Sequence, residues 1–224
     1  CVERVRQRFE QAGYEVLVFH ATGSGGRAME GLIDGGFITA VADITTTEWC
    51  DELVGGVLTA GPERLDAAAR AGIPQVVSVG ALDMVNFGPR NTVPDRFADR
   101  HFHVHNPSVT LMRTSPAENA RLGEIIARKL NQARGPVTLM LPLRGVSALD
   151  REGQPFHDRA ADATLFDALR RTLEPNVGLV ELDLHINDPL FADAIAEELL
   201  SKLAPDASAM TVQSVSAAHA VPRA

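Results

Sequence analysis

Residues 115–143, "SPAENARLGEIIARKLNQARGPVTLMLPL", carry the clearest signals of the fold class. Its first part predicts a helix, because Ser115 is a typical N-cap, Pro116 suits the first helical position and Glu118 completes a capping box. Gly135 follows the helix, and "VTLMLPL" is a nearly continuous apolar run, as in strands that are buried on both faces. A capped helix that leads into a buried strand indicates an α/β fold.

The same alternation extends in both directions along the chain. Apolar runs predict further strands at 15–21, 40–45, 74–80, 101–105 and 178–186. Helical patterns lie at 2–12, 27–35, 48–56, 62–72, 159–173 and 188–203. Strands alternating with helices predict a doubly wound, mostly parallel sheet with helices on both faces, a Rossmann-like architecture. We assign 1–203 to one such domain, and we expect the small, polar, aperiodic residues 204–224 to form a flexible tail.

Composition limits the function classes. The chain has 21 basic and 29 acidic residues, a formal charge of −8, which disfavours binding to nucleic acid or to an anionic membrane. No apolar run approaches the roughly 20 residues of a membrane span. The two cysteines, Cys1 and Cys50, make no disulfide framework, so we expect a cytoplasmic protein. Because position 1 is Cys and leads directly into a helix, we expect a fragment of a longer protein.

The first candidate binding feature is the loop "GSGGRA" at 23–28, which fits the Gly-x-Gly-x-x-Gly/Ala pattern of dinucleotide sites. Asp43 follows Gly23 by 20 residues, where such sites keep a ribose-binding acid. The helix behind the loop is short, which argues against a dinucleotide. Binding of a phosphate or carboxylate and a purely structural turn remain as alternatives. The candidate anion ligands are Gly23, Ser24, Gly25, Gly26 and Arg27.

Two more strand ends carry clustered polar residues. In the segment "DITTTE", the candidate ligand-binding residues are Asp43, Thr45, Thr46 and Thr47. Glu48 is a candidate acid or base. The structural alternative is that a threonine there caps the next helix. Asn86, in the irregular stretch 83–108, could bind a ligand or form a turn with neighbouring Asp83.

Three histidines alternate at 101, 103 and 105, so a strand would point them to one face. No cysteine or Glu/His helix pair accompanies them, so the sequence predicts packing or surface placement rather than a metal site. His105 ends the segment, and we expect it to face a site and to serve as an acid or base.

The segment "RGVSALDREGQPFHD", residues 144–158, has the residue types of nucleophile and base chemistry. It lacks the Gly-x-Ser-x-Gly elbow of hydrolases, so we interpret Ser147 as a ligand-binding hydroxyl and Asp150 as an acid or base. His185, in "HIND", could also transfer protons, while Asp188 before Pro189 is a natural N-cap.

Long segments of the chain resemble one family. These include "GYEVLVFHATGSGGRAME", "DITTTE", "HNPSVTLMRTSPAEN", "LPLRGVSALDREGQPFHD" and "HINDP". Together they are similar to the bacterial and fungal relatives of the plant tomato mosaic virus resistance protein. The resemblance implies two Rossmann-like subdomains in an ATP-binding region, of which this chain resembles the second. It implies that nucleotide contacts lie mainly in the first subdomain, so no ATP-binding residue is carried over to this chain.

Three functional hypotheses follow. The first is a ligand-binding or catalytic half-domain of an ATP-linked protein that binds a small anionic metabolite at the carboxyl ends of the strands. If ATP takes part, Mg²⁺ is the metal expected with it. The second is an interaction module that forms a homodimer or docks to the first subdomain or to another protein. The third is an NAD-dependent oxidoreductase.

Overall fold

The computed structural model describes residues 1–203, and the tail expected at 204–224 lies outside the described residues. Its helices are α1 (Val2–Gln11), α2 (Ser24–Asp34), α3 (Glu48–Val54), α4 (Asp66–Ala71), α5 (Pro116–Asn131), α6 (Arg159–Thr172) and α7 (Pro189–Leu203). Its strands are β1 (Val41–Thr45), β2 (Gln75–Gly80), β3 (Met84–Phe87), β4 (Phe102–Asn106), β5 (Val109–Arg113), β6 (Val137–Pro142) and β7 (Val177–Leu182). None of these helices is long and apolar enough to cross a lipid bilayer.

Four strands form the main sheet, in the order β1-β2-β6-β7. Every neighbouring pair in this sheet is parallel, and Val77 of β2 lies opposite both Asp43 of β1 and Leu139 of β6. Each successive pair of these strands is joined through at least one helix, as parallel pairing requires. The α/β fold with a mostly parallel sheet is therefore confirmed.

The two faces of the sheet bury different side chains. Val77 and Leu139 pack on one face, in a cluster that includes Leu122 of α5 and residues of α6. Val76 and Met140, the adjacent residues of the same strands, pack on the opposite face against α1 and α7. This is the two-residue alternation of a strand that is buried on both sides. Helices thus cover both faces, and the sheet is doubly wound.

Helix α5 begins as the sequence predicts. The Ser115 hydroxyl accepts a hydrogen bond from the Glu118 backbone N–H at 3.2 Å, and the Glu118 carboxylate accepts one from the Ser115 N–H at 2.7 Å. These two bonds satisfy N–H groups that have no partner inside the helix. The capping box is therefore confirmed.

The predicted strand at 15–21 is wrong. Residues 15–20 form no regular secondary structure, and the side chains of Leu17 and Val18 are 54% and 45% exposed. An apolar run specifies a buried strand only where a neighbour provides backbone partners, and this segment lies across a groove from β1. The predicted strand at 178–186 is confirmed as β7 but is shorter than predicted. It ends at Leu182 and leaves His185 in a loop.

The structure also contains a second sheet that the sequence patterns do not predict. Strands β3, β5 and β4 form a small antiparallel sheet in that order, within and just after the stretch interpreted as irregular. The predicted strand at 101–105 is confirmed as β4. Strands β3 and β5 are short and carry mixed polar and apolar residues, and glycine, proline and asparagine surround β3, so turn signals mask it.

Candidate functional site at the carboxyl edge of the sheet

The carboxyl ends of β1, β2 and β6 are Thr45, Gly80 and Pro142, and the segments that follow them bring several of the candidate residues to one edge. Ligands of open α/β sheets bind at this edge. Two polar groups form there. One surrounds Glu48, and the other surrounds Ser147.

The Glu48 carboxylate occupies the glycine loop. Its Oε1 atom accepts hydrogen bonds from the backbone N–H groups of Gly23, at 2.7 Å, and Gly26, at 3.2 Å. The Glu48 residue is only 1% exposed. Two of the amides that the sequence assigns to an anionic ligand are therefore bonded to a carboxylate of the protein itself.

The packing of the loop explains its glycines. A Cβ atom at Gly26 would collide with the Glu48 carboxylate, and one at Gly25 would collide with the carbonyl oxygen of His20. Gly23 has a φ of +78°, in the region that favours glycine, and a Cβ there would lie 2.5 Å from the Thr59 carbonyl oxygen. Each of these glycines is needed for close backbone packing, whether or not a ligand binds.

A buried arginine holds this group together. Arg64, which is 3% exposed, donates hydrogen bonds to both carboxylate oxygens of Asp43, at 2.5 and 2.8 Å, and to Glu48 at 2.6 Å. Glu30 is a third carboxylate partner, at 3.3 Å. Burial disfavours the charge of the guanidinium, but Asp43 and Glu48 more than offset this and raise the pKa of Arg64. Both Asp43 oxygens are bonded to Arg64 and the residue is buried, so Asp43 serves this ion pair rather than presenting an open carboxylate as a dinucleotide site would.

The other residues predicted near the loop have mainly internal contacts. The hydroxyls of Thr46 and Thr47 donate to the carbonyl oxygens of Ser78 and Met84, at 3.1 and 3.3 Å. Arg27 is exposed and donates to the Thr59 carbonyl at 2.7 Å. Ser24 is also exposed, and the half-buried Thr45 lines the groove beside β1.

The second polar group centres on Ser147. Its hydroxyl donates to the Asp83 carboxylate at 2.6 Å and accepts from the backbone N–H groups of Leu149 and Asp150, at 3.0 and 3.2 Å. The Asp150 carboxylate accepts from the Val146 N–H at 2.9 Å, which fixes the turn after β6. Asp83 and Asp150 are fully buried.

Arg113, from β5, is the cation of this second group. Its Nη2 atom lies 2.7 Å from a carboxylate oxygen of Asp162 and 3.8 Å from a carboxylate oxygen of Asp150. We call Asp83, Arg113, Ser147, Asp150 and Asp162 the Ser147 group. Three carboxyls share one guanidinium, so negative charge is in excess. Sequence reasoning misses Arg113 and Asp162, because nothing in their local patterns indicates that a strand arginine and a helix aspartate meet.

Burial raises the pKa of each carboxyl in this group. The pKa of Asp83 rises to about 6, although its bond from Ser147 and the charge of Arg113 oppose the rise. The pKa values of Asp150 and Asp162 are raised first by burial, and the mutual repulsion of these two carboxyls raises that of Asp162 further. The group can therefore exchange protons close to neutral pH.

Several buried polar atoms in this region have no hydrogen-bond partner among the described residues. They include Asp83 Oδ1, Asp150 Oδ1 and the ring Nδ1 of His157, which lies 4.0 Å from Asp150 Oδ1. A buried polar atom without a partner costs about 1–3 kcal/mol. These atoms therefore keep hydrogen-bonding capacity that residues 1–203 do not fill.

The predicted histidines take different positions. The His185 Nε2 atom lies 2.8 Å from the Ser147 carbonyl oxygen, and its Nδ1 accepts from the Asn187 N–H at 3.1 Å. His185 therefore contacts the backbone of Ser147 rather than its hydroxyl, and burial lowers its pKa, which favours the neutral imidazole. No catalytic triad of the hydrolase type forms in this group. His105 is exposed near the end of β4, away from both polar groups.

The remaining candidates are structural or separate. His101 and His103 pack edge-on against Phe156, with ring centroids 5.6 and 6.3 Å away. Asn86 donates to buried Asp51 through its backbone N–H, at 2.7 Å, and its side-chain amide, at 3.1 Å. Within residues 1–203, no cluster of three or more His, Cys, Asp or Glu side chains is arranged to hold a metal ion.

Comparison with known proteins identifies the family. The profile of an uncharacterised protein family, the C-terminal domain of UPF0261, matches residues 1–203. A UPF0261 protein of Clostridium tetani is 54% identical over 203 residues, which cover 90% of this chain and 50% of the relative. A UPF0261 protein of Mesorhizobium japonicum is 56% identical over 198 residues, 88% of this chain and 50% of the relative.

A plant protein is also similar. The ToMV resistance protein Tm-1 of Solanum lycopersicum is 50% identical over 202 residues, which cover 89% of this chain and 27% of the tomato protein. The chain spans about half the length of the bacterial relatives described above. Since the family profile covers every residue that the structure describes, the chain belongs to the UPF0261 family and corresponds to its C-terminal domain.

Proposed function

We propose that this domain is the ligand-binding half of a larger protein, and that the Ser147 group binds a small metabolite and exchanges a proton with it. The observation that carries the proposal is the fully buried Asp83 Oδ1 atom, which has no hydrogen-bond partner among residues 1–203 and belongs to the carboxyl that the Ser147 hydroxyl contacts, at the carboxyl edge of a parallel sheet. Perturbed carboxyls with unfilled hydrogen-bonding capacity are typical of functional sites.

The hydrogen-bonding groups of the Ser147 group determine which part of a ligand it would contact. Carboxylate oxygens accept hydrogen bonds, so Asp83 and Asp150 favour a ligand hydroxyl over a second anion. An ionised carboxyl of this pair would take the proton of that hydroxyl as a general base, and the protonated form would return it. Ser147 would position the base, because its hydroxyl bonds to Asp83.

The anionic part of the ligand would lie at the exposed rim of the site. Arg151 is exposed and close enough to His185 for its charge to lower the His185 pKa, after the larger effect of burial. Arg144 is exposed beside Asp183. A guanidinium holds a carboxylate or phosphate well. We therefore propose a small hydroxylated anion, such as a hydroxy acid or a sugar phosphate, whose anionic group contacts the rim and whose hydroxyl reaches the carboxyls.

A link to ATP and Mg²⁺, and docking to a first subdomain, are proposals for the longer relatives. They rest on the resemblance of the sequence and on the share of each relative that this chain covers. No contact within residues 1–203 carries them.

Thermal-shift screening of the native chain tests the proposal. The panel contains hydroxy acids and sugar phosphates, which are bifunctional because they carry both an anionic group and a hydroxyl. Inorganic phosphate supplies only the anion, and glycerol supplies only hydroxyls. A ligand of the folded state raises the melting temperature by mass action. We expect a bifunctional probe to do so, and we expect Asp150→Asn and Arg151→Ala to weaken the shift.

The matched control is the exposed Asp167→Asn, on the solvent side of α6. It should leave the shift unchanged. A panel in which no bifunctional probe raises the melting temperature would contradict the proposal. So would a shift that survives intact in both the Asp150 and the Arg151 variants.

A further inference from the structure

A groove of about 970 Å³ separates β1 from the extended segment Glu15–His20. We call it the β1 groove. Apolar side chains make up much of its lining, among them Leu17, Val18 and Phe37. These three are 54%, 45% and 75% exposed. Large apolar side chains gathered around one concave surface indicate a place where another element packs.

The side of β1 that faces the groove carries unpaired backbone groups. The Val41 N–H donates to the Pro74 carbonyl at 3.0 Å, toward β2. Because backbone direction alternates along a strand, the N–H groups of Ala42 and Ile44 point to the opposite side. Strand β1 is the outermost strand of its sheet. An open edge of this kind is a template for one more strand.

The segment across the groove has the sequence that such an edge would accept. Its residues, "EVLVFH", are apolar in four consecutive positions and carry charge or an imidazole only at the ends. Asp43, the acidic residue of β1, is already paired with Arg64, so it would not oppose an apolar neighbour. Helix α2 connects the segment to β1, which is the crossover that a parallel pair requires.

Each end of the segment has a local backbone contact. The Tyr14 N–H donates to the Phe9 carbonyl at 3.0 Å, and the two rings pack edge-on with centroids 5.8 Å apart. At the other end, the His20 carbonyl accepts from the Thr22 N–H at 2.8 Å. Gly13 has a φ of +89° and open space around it, so the chain can pivot there. Only the residues between these two anchors would have to move.

We propose that Glu15–His20 docks on the open edge of β1 as a fifth parallel strand and closes the β1 groove. Docking pairs the N–H groups of Ala42 and Ile44 and buries Leu17 and Val18. It also brings His20 toward Thr45 and the Glu48 carboxylate, which line the same groove. The proposal is independent of ligand binding at the Ser147 group.

Amide hydrogen exchange of the native chain, followed residue by residue by NMR at low protein concentration, tests the proposal. We expect Ala42 and Ile44 to exchange slowly, since paired amides exchange only when the pairing opens. Leu17→Pro and Val18→Pro are measured separately, because only one of the two residues directs its N–H toward β1. The proline on that side should accelerate exchange at Ala42 and Ile44 by about tenfold or more.

Slow exchange at Val77 and Leu139, in the centre of the sheet, shows that each variant is folded. Leu17→Ser, which keeps the backbone N–H, is a milder variant that should accelerate exchange to a smaller extent. Fast exchange of Ala42 and Ile44 in the native chain would overturn the proposal. Slow exchange at these two amides that neither proline substitution changes would also overturn it. So would exchange that becomes slower as the protein concentration rises, since a second copy of the chain would then cover the edge.

Discussion

The Glu48 carboxylate lies in the space that a side chain at position 26 would need, so Glu48 can take this position only because residue 26 is glycine. A glycine loop that has the spacing of a phosphate site is occupied by an acid from the next helix. Internal packing thus accounts for the glycines of this loop without an external ligand.

Replacement of Gly26 by alanine tests this relationship. The added methyl group must displace a buried carboxylate that is bonded to Arg64, so we expect the free energy of unfolding to fall by about 1–3 kcal/mol or more. Gly31→Ala is the matched control, because it lies in the same helix with no atom within 4 Å of an added Cβ. It should be neutral or stabilising by about 0.5–1 kcal/mol. Equal effects of the two changes in urea unfolding would contradict this account of the loop.

Arg64 should matter far more than a surface arginine. Arg64→Met leaves Asp43 and Glu48 buried without their cation, and removal of one partner from a buried ion pair typically costs about 3–5 kcal/mol. Arg70→Met breaks only the exposed pair with Asp34 and should change stability by less than about 1 kcal/mol. Denaturant unfolding of both variants measures the contrast. An Arg64 variant as stable as the Arg70 variant would show that the carboxylates are not compensated through Arg64.

The stability of the protein should depend on pH through Asp83. Burial raises its pKa to about 6, from about 4 in an unfolded chain. Between these values the folded state binds more protons than the unfolded state, so stability falls as pH rises from about 4 to about 6. Below about pH 4 this loss is absent, and above about pH 6 it is complete.

Asp83→Asn removes this ionisation and keeps a side-chain oxygen that can accept the Ser147 bond. The quantity to compare is the free energy of unfolding of Asp83→Asn minus that of the native chain. We expect this difference to be about 2–3 kcal/mol larger at about pH 8 than at about pH 4. Exposed Asp99→Asn is the control, because its side chain is solvated in both states. If the difference between Asp83→Asn and the native chain were the same at both pH values, the assigned shift would be wrong.

Loss of the capping box should weaken α5. Ser115→Ala removes the hydroxyl that accepts from the Glu118 N–H, and a loss of this kind costs about 0.5–2 kcal/mol. Ser108→Ala, in the exposed turn between β4 and β5, is the control, since Ser108 uses its backbone N–H for the turn bond to Asn106. Thermal unfolding of the two variants should differ by several degrees. No difference would mean that the cap adds nothing to stability.

Most of the fold is predictable from local patterns. Buried strands such as Val137–Pro142 are nearly continuous apolar runs, and α5 carries both of its start signals. The predicted strand that includes residues 15–20 is wrong because an apolar run does not reveal whether a partner strand lies beside it. The small antiparallel sheet is not predicted for the opposite reason. Residues around β3 favour turns, but backbone pairing with β5 holds β3 in place.

The site is less predictable than the fold. Sequence reasoning brings Glu48, Ser147, Asp150 and His185 to the correct edge, because residues that follow parallel strands gather there. It does not find Arg64 or Arg113, whose partners are 16 to 49 residues away in the chain. The one available signal is indirect, since carboxylates at buried strand ends require a cation or a proton. Which arginine supplies the cation depends on tertiary packing.

We expect the buried carboxyls of the Ser147 group to exchange protons near neutral pH. An NMR titration of the Asp83 side-chain carboxyl carbon in the native chain is the test of this claim. The expected midpoint is about 6. In Ser147→Ala the midpoint should move higher, because the Ser147 bond favours the ionised form. A midpoint near the ordinary value of about 4, unchanged in Ser147→Ala, would contradict the claim.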